Sequence, residues 1–208
     1  MPDIRLPILT ERLILRRFEA SDLDAFHAYQ SLPGTARFLL REAKTYTQSM
    51  ETLGRYANFV FEKEGDWICL AVDSQDDAGL LGEVVLKWLP GVGQAEIGWI
   101  MAPDARGKGY ATEAAQALLK LGFGELGFHR IDAKLDALNT ASAGICERLG
   151  MRLEATLTDN WHYKGTWSTE LIYAVLEDDW AGRNGETTPV EQPMQTMRAR
   201  RPAGPASR

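Results

Sequence analysis

The stretch Asp104–Leu119, DARGKGYATEAAQALL, constrains the fold of this chain more than any other. An apolar run with strand character, Ala95–Ala102, precedes it, and an amphipathic helix pattern begins at about Tyr110. Gly107 and Gly109 in the intervening turn can adopt positive φ angles, which lets successive backbone N–H groups face one point. Because the free N–H groups and positive dipole end of the new helix face that point too, the turn is suited to a phosphate group.

The spacing of this turn matches neither the P-loop nor the dinucleotide-binding loop. Arg106 and Lys108 add positive charge, and the planar guanidinium suits phosphate oxygens. The six residues from Arg106 to Ala111, RGKGYA, do fit the pattern R/Q-x-x-G-x-G/A. A glycine-rich turn before a helix can also serve only to start the helix. The rest of the chain must therefore distinguish a phosphate-binding turn from a plain helix start.

Length and composition indicate an ordinary globular domain. A chain of 208 residues suits one domain with a sizeable core, and 45% hydrophobic with 25% charged residues is typical of such proteins. There is no apolar run of membrane length, and the N-terminal MPDIRLPILTER does not resemble a signal peptide, so we expect a cytoplasmic protein with no membrane partner. The two cysteines and three histidines lack the spacing of metal ligands, so we expect no metal.

The net charge of −6 is unevenly distributed. Five arginines and two glutamates give residues 181–208 a charge of +3, which leaves −9 on residues 1–180. So acidic a body disfavours nucleic acid as its partner and suits a cationic amine, although it also serves solubility. The tail is poor in aliphatic residues, which predicts a disordered basic segment over 181–208 whose RARR cluster either contacts RNA or is simply solvated.

Hydrophobic periodicity predicts an α/β fold of one domain, in which about four helices flank a mixed sheet of about seven strands. The predicted strands are Arg12–Phe18, Trp67–Val72, Leu80–Trp88, Gln94–Ala102, Arg130–Leu135, Met151–Leu157 and Glu170–Leu176. The predicted helices are Ser21–Gln30, capped by Ser21, then Tyr110–Glu125 and Thr140–Leu149. Between the first two, a further helix is predicted that stops at Gly65 and has one apolar face of Met50, Leu53, Ala57, Val60 and Phe61. Residues 32–46 are predicted to form a loop.

With this order of elements and the RGKGYA turn, the chain resembles the GNAT superfamily of acyl-CoA-dependent N-acetyltransferases over about residues 8–180. Four blocks look like the Rim-type branch: TERLILRRFEASD, AEIGWIMAPDARGKGYATEA, LNTASAGICERLGMRLEA and WHYKGTWSTELIYAVLEDDW. Named members of that branch acetylate protein N-termini, notably those of ribosomal proteins, while relatives act on small amines or antibiotics. The resemblance implies acetyl-CoA as co-substrate and direct acetyl transfer to a primary amine in a ternary complex.

The resemblance also implies which residues bind acetyl-CoA. The pyrophosphate would be held by Arg106, Gly107, Lys108, Gly109, Tyr110 and Ala111, and the pantetheine arm by Asn139 and the backbone of Trp99, Ile100 and Met101. Gly98 lies inside a strand, which predicts a bulge or a close backbone approach. In GNAT folds a bulge in this strand splays it from the next one and opens a slot for the pantetheine arm.

Glu96 is the predicted base, acting directly or through water, because a carboxylate has little structural reason to lie in the apolar run AEIGWIM. The alternative is an edge glutamate that faces solvent or binds the substrate ammonium. The resemblance makes Ser142 a proton donor to the leaving thiolate, whereas the structural alternative is that Asn139 or Thr140 caps the helix and Ser142 lies in its first turn. Cys146 stands where many GNAT members carry a tyrosine acid, which leaves the acid undecided.

The acceptor depends on residues 32–46 and on the aromatic stretch DNWHYKGTW, where Asp159, Trp161 and His162 are predicted to bind substrate. At pH 7, an α-amine of pKa about 8 costs about 1.4 kcal/mol to deprotonate, against about 4.6 kcal/mol for lysine. This difference favours a protein N-terminus over a lysine side chain, and a small-molecule amine or aminoglycoside is the alternative acceptor. A non-catalytic acyl-CoA sensor and an RNA- or ribosome-associated adaptor are alternatives from other classes, and the chain is expected to be a monomer or homodimer.

Overall fold

A computed structural model describes residues 4–76 and 79–184. One eight-stranded mixed sheet crosses this part of the chain in the order β1-β2-β3-β4-β5-β6-β8-β7. Its strands are β1 (Ile8–Leu9), β2 (Leu13–Arg16), β3 (Trp67–Ser74), β4 (Leu80–Trp88), β5 (Gln94–Met101), β6 (Arg130–Asp136), β7 (Arg152–Tyr163) and β8 (Thr166–Leu176). The helices are α1 (Leu23–Gln30), α2 (Pro33–Ala36), α3 (Tyr46–Ala57), α4 (Tyr110–Lys120), α5 (Thr140–Arg148) and α6 (Glu177–Asn184).

The predicted single α/β domain with a mixed sheet is confirmed, but the predicted numbers of strands and helices are too low. The additional strand is β1, and the additional helices are α2 and α6. The two short elements β1 and α2 carry too few residues to show a period. Helix α6 includes the first four residues of the predicted tail, and the remainder of that tail lies outside the described residues.

Helix boundaries also differ where local chemistry outweighs periodicity. Helix α3 starts at Tyr46 because Thr45 accepts from Gln48 N–H while the Gln48 side chain accepts from Thr45 N–H, a reciprocal cap. It ends at Ala57, so Phe61 lies outside it and is buried against Trp88 instead, with 5.6 Å between ring centroids. The cap predicted at Ser21 is wrong, since Ser21 lies within a short 3₁₀ turn over Ala20–Asp22.

Helices cover both faces of the central strands, and the alternation along β3 shows how. Ile68 and Leu70 belong to the core under α4, whereas Cys69 and Ala71 pack on the opposite side with α1 and α3. Strands covered on both faces read as continuous apolar runs rather than as alternating ones. In the described part of the chain, no helix has both the length and the apolar character needed to cross a membrane.

Strands β5 and β6 run parallel but pair only at their beginnings, where Gln94–Glu96 faces Arg130–Asp132. Beyond Glu96 the two strands separate, as predicted. No bulge accompanies the separation, because β4 and β5 pair in unbroken register through Gly98, and the predicted bulge is wrong. Gly98 instead permits a close approach, since a Cβ there would lie 3.1 Å from Cγ1 of Val85.

A buried carboxylate on β4, Glu83, anchors the segment that joins α1 to α3. Its Oε2 accepts hydrogen bonds from the Tyr29 hydroxyl at 2.7 Å and from Nε2 of Gln30 at 2.8 Å. Gln30 in turn accepts from the Arg41 guanidinium through Oε1 and from Lys44 N–H through its backbone carbonyl. The sequence analysis missed Glu83 because it treated β4 only as a strand.

Glu83→Gln is expected to stabilise the protein relative to the wild type at pH 8 but not at pH 5. Burial raises the pKa of Glu83 to about 7, whereas an unfolded glutamate has a pKa of about 4.5. Between these values the unfolded chain is ionised while the native state keeps its proton, so wild-type stability falls as pH rises from about 4.5 to about 7. Glutamine does not ionise and escapes this loss, which amounts to about 1–3 kcal/mol.

Denaturant unfolding at pH 5 and pH 8 measures this difference, with exposed Glu51→Gln on α3 as the control. The control should show a stability difference from wild type that is the same at both pH values. A Glu83→Gln difference independent of pH would show that Glu83 does not carry this linkage.

Candidate active site

A cleft of about 650 Å³ opens where β5 and β6 separate, between the start of α4, the start of α5 and α2. All the residues predicted to bind the co-substrate line it except Lys108. The structure thus brings together three separate stretches, Trp99–Met101, Arg106–Ala111 and Asn139–Ser142, at one cavity. Gly34, Thr35, Phe38 and Leu39 complete the wall from the segment that was predicted only as a loop.

The glycine turn has the backbone expected of an anion site. Gly107 and Gly109 have φ angles of +73° and +83°, which other residues rarely adopt. Gly109 is the N-cap of α4 and has no side chain to cap the first N–H groups, so these remain available to a ligand. A helix of 11 residues behind them adds its dipole. The turn is therefore able to bind an anionic group such as a phosphate.

Arg12, which the sequence analysis did not single out, holds this turn in place from the β1–β2 connection. Its Nη1 donates to the carbonyl of Lys108 at 3.0 Å, and its guanidinium lies 4.8 Å from the ring centroid of Tyr110. Glu113 on α4 accepts from Arg12 Nε at 2.7 Å and from the Thr10 hydroxyl at 2.6 Å. The available signal was the block TERLILRRFEASD, which was used for the resemblance but not for the site.

Arg106 connects the turn to the wall of the cleft in addition to supplying charge. Its Nε donates to the carbonyl of Met101 at 3.0 Å, and its Nη2 donates to Oγ1 of Thr35 at 3.1 Å. Thr35 belongs to α2, which is buried at that position. One guanidinium thus links the end of β5, the glycine turn and α2.

Asn139 and Ser142 line the cleft and also form the start of α5. Asn139 caps α5, because its Oδ1 accepts from Ser142 N–H at 3.2 Å, as the structural alternative held. Ser142 Oγ accepts from the indole Nε1 of Trp99 at 3.3 Å, so a side chain of β5 reaches across to α5. Because its oxygen accepts that bond, the Ser142 hydroxyl still has its own proton to donate.

Cys146 belongs to the core rather than to the cleft. It is fully buried among apolar residues, and burial raises the pKa of its thiol to about 12. Such a thiol is a small apolar packing residue, which agrees with the simpler of the two interpretations of its position. Its burial therefore disfavours Cys146 as a replacement for the tyrosine acid that the resemblance implies at this position.

Glu96 does not line the cleft. Its neighbours Ala95 and Ile97 point into the core beneath α4, so its side chain lies on the opposite face of the sheet, at the last residue of β5 that pairs with β6. Its Oε2 is 3.0 Å from Nζ of Lys134, and the side chain is 32% exposed. This position gives it access to a molecule approaching the cleft from that face.

The residues predicted to bind the acceptor lie on the β7–β8 hairpin and do not line the cleft. Trp161 donates from Nε1 to Glu170 at 3.0 Å, His162 stacks near Trp167 with 5.0 Å between ring centroids, and Asp159 has a φ of +50°. The sequence analysis missed the contact that brings this hairpin to the cleft: Lys164 Nζ donates to the carbonyl of Ala36 in α2 at 2.8 Å. The hairpin therefore meets the cleft wall through α2.

Comparison with known proteins connects this architecture to a family. The sequence model of the family described as acetyltransferase (GNAT) domain matches residues 12–152 of this chain. The chain is 32% identical over 173 residues to the uncharacterized N-acetyltransferase YnaD of Bacillus subtilis, covering 83% of this chain and 98% of YnaD. It is 31% identical over 107 residues to the putative ribosomal N-acetyltransferase YdaF of the same organism, covering 51% of this chain and 58% of YdaF.

The fold also matches a solved acetyltransferase structure. Spermidine N-acetyltransferase from Vibrio cholerae, solved in complex with CoA and spermine, superposes with a TM-score of 0.70 at 20% identity, covering 82% of this chain and 99% of the other. Three observations support the same family assignment: the separation of β5 and β6 in the mixed sheet, the glycine turn at α4, and the family match over two thirds of the sequence. The chain belongs to the GNAT family of acetyltransferases and is an acyltransferase.

Proposed function

We propose that this enzyme transfers the acetyl group of acetyl-CoA to the α-amine of a protein or peptide N-terminus. The observation that carries the proposal is the cleft between the diverging strands β5 and β6, with an anion-binding turn on one side and Glu96 on the other face of the sheet. An acyl donor and an amine acceptor could thereby meet from opposite sides. Direct attack in a ternary complex requires such an arrangement.

The cleft fits acetyl-CoA as substrate. The glycine turn and the N-terminus of α4 suit its pyrophosphate, and the unpaired edge of β5 over Trp99–Met101 offers backbone groups to the pantetheine arm and the acetyl carbonyl. Asn139 adds a polar contact at the opposite wall. The V. cholerae relative was solved with CoA, which supports the same co-substrate here.

The chemistry requires a base, a nucleophile and a proton for the leaving group. Glu96 takes a proton from the acceptor ammonium, directly or through water, and the neutral amine attacks the thioester carbonyl. The carbon–sulfur bond breaks as the tetrahedral intermediate collapses, and the thiolate receives a proton from Ser142, which recovers one from the nitrogen of the product. One proton thus remains at the base for each amide formed.

An α-amine is the preferred acceptor because it costs less to deprotonate than a lysine side chain. The similarity to YdaF, a putative ribosomal N-acetyltransferase, supports the same choice. A small polyamine is the second candidate, favoured by the similarity to spermidine N-acetyltransferase and by the partly exposed carboxylate of Glu96 on strand β5.

Free-thiol release from acetyl-CoA tests the proposal with purified protein and three acceptor sets: peptides with free N-termini, the same peptides blocked at the N-terminus but containing lysine, and polyamines or aminoglycosides. Turnover confined to free α-amines supports N-terminal acetylation. Turnover confined to polyamines or aminoglycosides replaces it with the small-amine function. Acetyl-CoA binding without turnover on any acceptor would indicate a sensor.

Ser142→Ala is expected to lower kcat about 10- to 100-fold while leaving the Kd of acetyl-CoA within about threefold. The alanine keeps the backbone N–H that Asn139 caps, so α5 should retain its start. The check is single-turnover acetyl transfer, with Ser31→Ala, at a partly exposed residue directly after α1, as the control. An unchanged kcat would assign Ser142 only to the first turn of α5.

A further inference from the structure

Two carboxylates lie side by side where β5 and β6 stop pairing. Asp132 on β6 is the register partner of Glu96, and both point away from the core under α4, since Ile131 and Ala133 occupy that core. Glu96 is 32% exposed, whereas Asp132 is only 7% exposed. Glu96 is therefore the more accessible of the two carboxylates.

Asp132 has an unusual environment for a buried acid. Its Oδ1 is inaccessible to solvent and has no hydrogen-bond partner among residues 4–76 and 79–184. Strand β8 places Ala174 opposite it, which offers no donor. A buried carboxylate oxygen without a partner destabilises the folded protein when the group is ionised, so stability alone does not explain an aspartate here.

The charged groups around Asp132 are Arg130 and Lys134 on its own strand, Glu96 on β5 and Glu154 on β7. Lys134 is paired with Glu96, and Arg130 is paired with Glu154 at 2.7 Å. Arg130 and Lys134 are therefore both paired with glutamates, and neither of them forms an ion pair with Asp132. Burial raises its pKa to about 6, with the two glutamates adding to the effect and the two cations opposing it.

We propose that Asp132 is a positioning residue that acts through Glu96 and sets the pH range over which the site accepts the proton of the acceptor ammonium. Asp132 and Glu96 stand at register-paired positions on adjacent strands, so the charge state of Asp132 acts on Glu96 at short range. Lys134 neutralises one charge of the pair, so one proton can be taken up where the ammonium is presented. The inference rests on the proposed acetyl transfer and adds to it the group that sets its pH dependence.

The proton inventory is consistent with this role. The acceptor enters as an ammonium, and its first proton goes to the Glu96–Asp132 pair. The second proton, lost from nitrogen after the carbon–nitrogen bond forms, ends on the sulfur of CoA when the carbon–sulfur bond breaks. The pair returns its proton to solvent before the next turnover, so one proton leaves the site for each amide formed.

The test is the pH dependence of kcat/KM from pH 5 to 9, measured for wild type and Asp132→Asn. Both proteins are given the same acceptor, so the ionisation of the acceptor affects the two profiles equally. In Asp132→Asn, Glu96 faces Lys134 without a second carboxylate. The low-pH limb of the kcat/KM profile should therefore shift to lower pH by about one unit, and the maximum value of kcat/KM should fall about 10-fold. Lys134→Met should move the acid limb up, because Lys134 lowers the pKa of Asp132.

Asp73→Asn on β3 is the matched control. Like Asp132, Asp73 has a buried Oδ1 without a partner in the described structure, but its other oxygen pairs with Arg16. Strand β4 separates β3 from β5, so Asp73 is remote from Glu96. Its acid limb should coincide with that of the wild type. An unmoved acid limb in Asp132→Asn, in a protein that unfolds cooperatively and turns over, would overturn the inference while leaving the proposed function intact. Absence of wild-type turnover on every acceptor would instead overturn the proposed function.

Discussion

Gly109→Glu is expected to weaken acetyl-CoA binding at least about 100-fold, because the change places a carboxylate where the pyrophosphate should lie. Gly109 has a φ of +83°, which disfavours any side chain, and a Cβ there would lie 3.3 Å from Nη2 of Arg12. The new carboxylate would compete with Glu113 for Arg12 and cancel the positive potential at the N-terminus of α4. Isothermal titration with acetyl-CoA measures the loss.

Gly65→Glu separates this effect from backbone strain. Gly65 has a comparable φ of +91°, and a Cβ there would meet open space. It precedes β3 and does not line the cleft. This control should bind acetyl-CoA within about threefold of wild type, although it carries the same added charge and similar strain. Equal acetyl-CoA affinity in the two variants would contradict the assignment of the glycine turn.

Glu96→Gln is expected to lower kcat about 10²- to 10⁴-fold, the range that a positioned acid or base contributes. Because Glu96 lies on the face opposite the cleft, the Kd of acetyl-CoA should stay within about threefold. The loss of its partly exposed ion pair with Lys134 should cost little stability. Raising the pH above the pKa of an α-amine acceptor, about 8, should recover part of the rate, since the amine then arrives deprotonated.

The control for this prediction is Asp179→Asn. Asp179 on α6 is also an ion-paired carboxylate, 2.6 Å from Arg152, and its side chain is 48% exposed. Its kcat should lie within about threefold of wild type. If Glu96→Gln retained full activity, or lost it without recovery at high pH, Glu96 would not be the base.

Patterns that are local in the chain were predictable. The strand, glycine turn and helix around Gly107 and Gly109 lie within some 25 residues, and their geometry follows from φ preferences and helix capping. The meander, the position of α4 and the separation of β5 from β6 followed in the same way or from the resemblance. The two shortest elements, β1 and α2, escaped because two to four residues cannot display a period.

Contacts between distant segments were not predictable. Arg12 reaches Glu113 and the Lys108 carbonyl over about 100 residues of chain, and Lys164 reaches α2 over 128. The local sequence around Arg12 belongs to the first block of the resemblance, but it gives no sign that this arginine contacts Glu113 on α4. The buried state of Glu83 depends on α1 lying above β4, which is a property of the assembled domain.

The sequence by itself determined the order of the main strands and helices and the glycine turn before α4, because short-range backbone preferences impose these patterns, while the mixed sheet followed from the resemblance to the family. Only the tertiary structure decided that Cys146 faces the core, that Glu96 and the cleft lie on opposite faces of the sheet, and that Asp132 lies beside Glu96. Burial and charge environment arise from which strands become neighbours. In this fold, β5 and β6 come together only after the chain has passed through a whole helix.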